Sequence, residues 1–275
     1  MKPEFSFRAA FAWTALVTFG WELVAYGLVM HWPRIADSLV ALGGVQVIVY
    51  GLVIAAIVRS LGVGPTAALG LRRAPLGVCA LSALLGAVLQ IPISAIDDAI
   101  ERRWPTPAPI LAERVARIIP HSLTQAVSIT LIVAVLGPLV EELFFRGALF
   151  GGMVRSRGVR PTAIAVSACF VFAHMEINEA LPLFLVALAL AEVRAATGSL
   201  WPGFLLHGAF NGVTLALAFR GKLPGGQSAE IPARLAFVGT LVTGALGYLL
   251  LSLALASPLA QKARGEDLRP PSPPA

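Results

Sequence analysis

The sequence predicts an all-α polytopic membrane protein of about eight transmembrane helices, with a four-helix core around a functional site. Three observations lead there. The chain of 275 residues is 57% hydrophobic and only 13% charged, whereas soluble domains run near 45–50% apolar and about 25% charged. Its mean hydropathy is +0.81. Its apolar residues also gather into runs close to the roughly 17–25 residues that a helix needs to cross a bilayer. A soluble core is excluded by composition alone.

Taken in order, the first run covers 8–30. Lys2 and Arg8 ahead of it imitate a signal peptide. No small-residue cleavage site follows, and the run continues past Glu22 to Met30, so a retained first span is expected. Runs at 37–58 and 75–96 flank the basic loop "LRRAPLG", suited to anionic headgroups. The stretch 97–121 differs, because "LAERVARII" has helical amphipathicity and reads as an interfacial segment. Four runs at 122–145, 160–176, 180–196 and 200–219 follow, some short enough to be tilted or packed inside, and 234–256 closes the set. The tail over 257–275 ends in "EDLRPPSPPA" and is expected to be disordered. The chain thus divides into N-terminal helices with an amphipathic segment (1–121), a membrane core (122–256) and a proline-rich tail (257–275).

Charge gives orientation rather than a nucleic-acid partner. The net charge is +6, but the basic residues stand singly or in pairs without aromatic interleaving, so no phosphate-binding stripe emerges. With a cytoplasmic N-terminus, 13 lysines and arginines fall on inside segments and 8 on outside ones, which places both termini in the cytoplasm. The Ala-, Leu- and Arg-rich composition points to a bacterial inner membrane. Cys79 and Cys169 lie in apolar runs and read as buried small hydrophobes. Glu192 and Arg194 read as charges at a cytoplasmic span end, and Glu22, Gln46 and Gln90 as isolated packing contacts.

Four polar residues in the later spans are the candidate site: Glu141, His174, His207 and Asn211. Glu141 lies 14 residues from Arg155, His174 lies 14 from Arg160, and His207 lies 13 from Arg194. At the helical rise each separation is about 20 Å, so three separate spans bring polar groups to a similar depth. Charges at membrane depth call for a functional reason. Glu142 and Arg146 stand i, i+4 with the acid first, the favourable order for an ion pair. Glu141 points about 100° away from Glu142 and lacks that cation. Phe170 shares a helix face with His174, as Asn211 does with His207.

These residues carry a resemblance. "EELFFR" matches an EExxxR motif, "FVFAH" an FxxxH motif, and "TGSLWPGFLLHGAFN" an HxxxN segment with a TGSL lead-in. In that order they resemble the CPBP family of CAAX proteases and bacteriocin-processing enzymes, which includes the type II CAAX prenyl endopeptidase. The resemblance covers roughly residues 123 to 215. It implies an intramembrane endopeptidase acting on a membrane-associated protein or peptide. In that family's pattern Glu141 would activate water with help from His174, His207 and Asn211 would stabilise the oxyanion, and Glu142, Arg146 and Phe170 would support the site.

The chemistry suits these residue types, since peptide hydrolysis needs a base for water and donors for the oxyanion. The chain has no GxSxG, no HExxH and no cysteine placed as a nucleophile beside a histidine. Two assignments remain: direct water activation by Glu141 without a cofactor, or a zinc held by Glu141, His174 and His207 with Glu142 as base. Outer partners for such a metal look few, because nothing acidic lies one turn before His174. Two other classes use the same residues, a non-catalytic bacteriocin-immunity or scaffold relative and a small proton-coupled transporter.

Overall fold

The computed structural model describes residues 5–36, 38–220 and 231–268. Among these every regular element is helical: α1 (Phe7–His31), α2 (Leu39–Leu61), α3 (Pro65–Leu69), α4 (Leu76–Arg103), α5 (Ala108–Ile118), α6 (Leu123–Arg157), α7 (Val159–His174), α8 (Ala180–Thr197), α9 (Leu200–Ala218), α10 (Ala233–Ala256) and α11 (Pro258–Leu268). A single 3-10 turn at Pro33–Ile35 joins α1 to α2. Local signals set several ends. Ser6, Ser38, Ser122 and Ser199 each accept a backbone N–H in the first turn of α1, α2, α6 and α9. Left-handed Gly62 and Gly198 stop α2 and α8, a conformation that glycine adopts without a steric penalty.

Among the described residues six helices are long and apolar enough to cross a membrane: α1, α2, α4, α6, α8 and α10. The chain is an integral membrane protein. The sequence led to about eight spans, and the other two are the helices that carry the site. α7 has only 16 residues, while α9 has 19 but carries His207 and Asn211 in its apolar run. Both are packed among other helices, so neither needs a full lipid-facing length. The 122–145 run also extends, because α6 continues unbroken to Arg157.

The tail departs from expectation as well. Residues 258–268 form α11, and Ala260 and Ala263 of that helix are buried. Apolar contact with α8 and α10 orders a segment that composition marks as disordered. The rest of the tail, from residue 269, lies outside the described residues.

Two apolar cores organise the bundle. One gathers α1, α2, α3, α6 and α7 with the edge of α8, and the other gathers α4, α8, α9 and α10. The candidate site lies where they meet. There α9 approaches closely on both sides. Gly86 of α4 lies directly against the Leu206 backbone, and a Cβ on Gly208 would stand 2.7 Å from Ala134 O of α6.

Loop contacts define the two ends of the bundle. At one end the α3–α4 connection meets the α8–α9 turn: Leu200 N–H donates to Gly70 O at 2.9 Å and Ser199 Oγ–H to Arg72 O at 2.7 Å. At the other end Arg114 of α5 pairs with Glu176 at 2.6 Å and Glu179 at 2.8 Å, and Ile231 N–H donates to Asp98 at 3.1 Å. α5 buries none of its residues, as an interfacial amphipathic helix should.

Arg194 overturns one reading. It closes its span, in the last turn of α8, but is fully buried rather than set at the interface, with its guanidinium against Gly70 and over the Phe150 ring at 5.5 Å. The α3–α4 connection folds over it.

Candidate active site

The site is built on α6, which holds two π-helical stretches, Ile132–Leu136 and Leu143–Leu149. Such wide turns recur at functional sites. In each, a side chain from a neighbouring helix bonds a carbonyl. Asn211 of α9 donates to Val133 O at 2.9 Å, and Arg194 Nε of α8 donates to Arg146 O at 3.1 Å. Backbone carbonyls within a bilayer need such partners, because no water is there to supply them.

Glu142 immediately precedes the second stretch. Its Oε1 accepts from Arg146 Nη1 at 2.9 Å and lies 3.1 Å from His207 Nδ1. Both members of the ion pair are 0% exposed. Arg146 also donates to Ala187 O at 2.9 Å and lies over the Phe170 ring at 4.7 Å. Phe170 therefore supports the pair as well as His174, whose ring centroid is 4.4 Å from its own.

Glu141, one residue earlier, faces a different environment. Its side chain is 15% exposed, its Oε2 lies 3.8 Å from His207 Nε2, and its Oε1 accepts from Gln46 Nε2 of α2 at 3.3 Å. Gln46 is thus a partner of the candidate base rather than an isolated packing contact. His174, the last residue of α7, has Nδ1 2.8 Å from Phe170 O. A carbonyl only accepts, so that nitrogen carries a proton, and in the neutral ring Nε2 is the nitrogen with the lone pair.

Glu141, His174, His207 and Asn211 all line one cavity of 310 Å³. Sequence reasoning missed much of its wall. Gln90 and Ser94 of α4 bond each other at 2.9 Å, and Thr214 of α9 donates to Gln90 at 3.0 Å. Gln90 is therefore part of a polar network on the cavity wall and not an isolated contact. Asp97 and Glu179 also line the cavity. The available signal was a Gln in the middle of an apolar run, on two helices outside the motif region.

The histidines also differ from the sequence expectation about outer partners. Both Nδ1 atoms are held, by Phe170 O and by Glu142, and Glu142 approaches from another helix where sequence proximity could not show it. Among the described residues, however, no group of three His, Cys, Asp or Glu is placed to hold a metal ion.

Residues 123–213 match the family model described as Rce1-like, type II CAAX prenyl endopeptidase Rce1-like. Comparison with curated proteins and with solved structures gives no match. The matched stretch runs from the start of α6 into α9 and contains all four residues named above, while α1 to α5, α10 and α11 lie outside it. Over that segment the chain is similar to the Rce1-like type II CAAX prenyl endopeptidases, a protease family, and the similarity is centred on the helices that build the cavity.

Proposed function

We propose that the protein is an intramembrane endopeptidase that hydrolyses a peptide bond of a membrane-associated substrate with water activated by Glu141. The observation that carries this reading is the contrast between adjacent glutamates. Glu142 is sealed against Arg146, whereas Glu141 opens on a cavity shared with His174, His207 and Asn211.

In the proposed reaction a water in the cavity gives its proton to Glu141, with the His174 Nε2 lone pair as its second acceptor. The hydroxide attacks the substrate carbonyl carbon, and the C=O electrons move onto oxygen. His207 Nε2–H and the Asn211 N–H not used by Val133 O donate to that oxyanion. Donation from Nε2 while Nδ1 donates to Glu142 requires the ring to carry both protons. When the tetrahedral carbon collapses, the C–N bond breaks and the proton on Glu141 passes to the leaving nitrogen. The products are a carboxylic acid and an amine, and transfer of the acid's proton to the amine leaves a carboxylate and an ammonium.

The reaction as written uses no metal. His207 Nε2 lies 3.8 Å from Glu141 Oε2.

Membrane proteomics of cells carrying Glu141→Gln tests the reading. A membrane protein that accumulates uncleaved, and is processed again when wild type is restored, is the expected result. An unchanged set of membrane proteins and termini counts against it.

A further inference from the structure

α1 carries a carboxyl group on its outer surface, at a depth where lipid offers it no partner. The helix has 25 residues, Phe7–His31, and is about 37 Å long at the helical rise. A hydrocarbon core about 30 Å thick takes in all but about 7 Å of it. Glu22 stands nine residues before His31, about 13 Å from that end, so it lies inside the hydrocarbon however the helix is seated. Glu22 is not the packing contact its sequence suggests. It is exposed, and it has no hydrogen-bond or ion-pair partner among the described residues. Glutamate's short stem cannot carry the carboxyl out to the interface as Lys or Arg can. A polar group held at this depth calls for a partner.

The surface around Glu22 defines which partner fits. Leu16, Phe19, Leu23, Tyr26 and Met30 are each more than half exposed, and they follow one another at intervals of three, four, three and four residues. That is the spacing of the a and d positions along which two helices pack as a left-handed pair. An apolar strip alone is what lipid itself accepts and identifies no partner. Here, however, Glu22 flanks the strip at the g position before Leu23, and Tyr26, one turn on, exposes a phenol hydroxyl on the same surface. A hydrogen bond between helices needs a donor and an acceptor, and this one face holds both. Gly27 fills the e position that faces g in a parallel pair. A Cβ on it would meet nothing within 4 Å, which leaves room for a carboxyl from a neighbouring helix.

A second copy of the chain meets these requirements together. Copies inserted in the same sense hold Glu22, Tyr26 and Gly27 at equal depths. A two-fold axis along the membrane normal then turns each carboxyl onto the other copy, an isologous contact. The match is the same whichever end of α1 is cytoplasmic. We infer that the protein forms a parallel homodimer through α1, in which the Glu22 carboxyl of each copy packs over Gly27 of the other and hydrogen-bonds its Tyr26 hydroxyl. α1 lines no part of the candidate active site, so the contact leaves the cavity free and does not depend on the endopeptidase reading.

Two measurements on the full chain test this. The first is oxidative crosslinking in native membranes, with Cys79→Ala and Cys169→Ala as background. Leu23→Cys should crosslink to a second copy of itself. Val24→Cys, also exposed but about 100° further round the helix, should not. The second is energy transfer between labelled chains in phosphatidylcholine vesicles at increasing lipid dilution. Glu22→Leu should weaken the dimer about tenfold, because one bond is lost on each side of the axis. Glu22→Gln, whose amide still bonds the hydroxyl, should stay within about threefold of wild type. These side chains face outward, so the substitutions leave the fold of the single chain intact. A wild type that is monomeric at every dilution overturns the inference. Equal crosslinking at positions 23 and 24 does so too, as does Glu22→Leu pairing as tightly as wild type. A Leu23→Cys joined to a different membrane protein in place of itself assigns the face to that partner and also overturns it. Neither measurement needs turnover, so an inactive chain would sink the endopeptidase reading and leave the dimer standing.

Discussion

Replacing each of the adjacent glutamates by glutamine should separate chemistry from stability. Glu142→Gln removes a carboxylate that is 0% exposed and holds Arg146 Nη1 at 2.9 Å and His207 Nδ1 at 3.1 Å. The guanidinium, also 0% exposed, then keeps Ala187 O at 2.9 Å, the Phe170 face at 4.7 Å and the Phe145 ring at 5.9 Å, none of them charged. Stripping one partner from a buried pair costs about 3–5 kcal/mol. With about 2–4 °C of Tm per kcal/mol for chains of roughly this size, the expected fall is on the order of 10 °C. Glu141→Gln has much less to lose. Its two polar contacts are long, 3.3 Å to Gln46 and 3.8 Å to His207, and the amide oxygen still accepts from Gln46. The expected stability change is about 1 kcal/mol or less, while activity falls by about 10²–10⁴-fold through loss of the base. The assay is thermal unfolding by intrinsic fluorescence in one detergent, beside cleavage of the precursor that accumulates in the Glu141→Gln strain. Equal losses of Tm and activity in both variants would refute the division between a wet base and a dry structural acid.

Three further outcomes are expected. Asn211→Ala removes an oxyanion donor and should lower kcat by about 10²–10³-fold with KM little changed; a change confined to KM would instead assign Asn211 to substrate binding. Purified protein should keep its cleavage rate after dialysis against chelator, whereas stoichiometric zinc, with activity lost on its removal and regained on its return, would move the chemistry onto a metal. Gly86→Ala forces a methyl into the Leu206 backbone one residue from His207, so stability should fall by about 1–3 kcal/mol, and a normal Tm would show that α4 and α9 can separate without harm.

Much of the fold is legible because lipid imposes a simple demand: every spanning backbone must be a helix under a continuous apolar coat. Hydropathy therefore located the spans, yet it placed the end of 122–145 too early, where polar residues begin. Glu142 and Arg146 end no span, since each is buried against the other and α6 runs on to Arg157. The π-helical stretches leave no hydropathy signature. Nor could periodicity say what Gln46, Gln90 and Arg194 touch on other helices, because those partners are 95, 124 and 48 residues away. Side-chain chemistry at similar depth pointed to Glu141, His174, His207 and Asn211 as one group. What closes the cavity around them, the α4 wall and the carboxylates of Asp97 and Glu179, is a tertiary arrangement that no single helix encodes.

The two glutamates differ by one residue, and that step decides their surroundings. Successive side chains on a helix point about 100° apart, so one carboxylate can turn into the dry junction of α6, α8 and α9 while the next faces the cavity. His207 spans the divide, with Nδ1 toward Glu142 and Nε2 toward Glu141. The ring orientation needed in the cavity is thus set from the dry side. Arg146 in turn fixes Glu142, and Ala187 O with the Phe170 face fixes Arg146. Phe170 also carries the carbonyl that sets the tautomer of His174. One buried cation therefore reaches both histidines, one through Glu142 and the other through Phe170. That dependence gives a physical reason for an arginine inside an apolar run. A lysine could neutralise Glu142, but its single ammonium lacks the planar fork that bonds Glu142 and Ala187 O together while stacking on an aromatic ring.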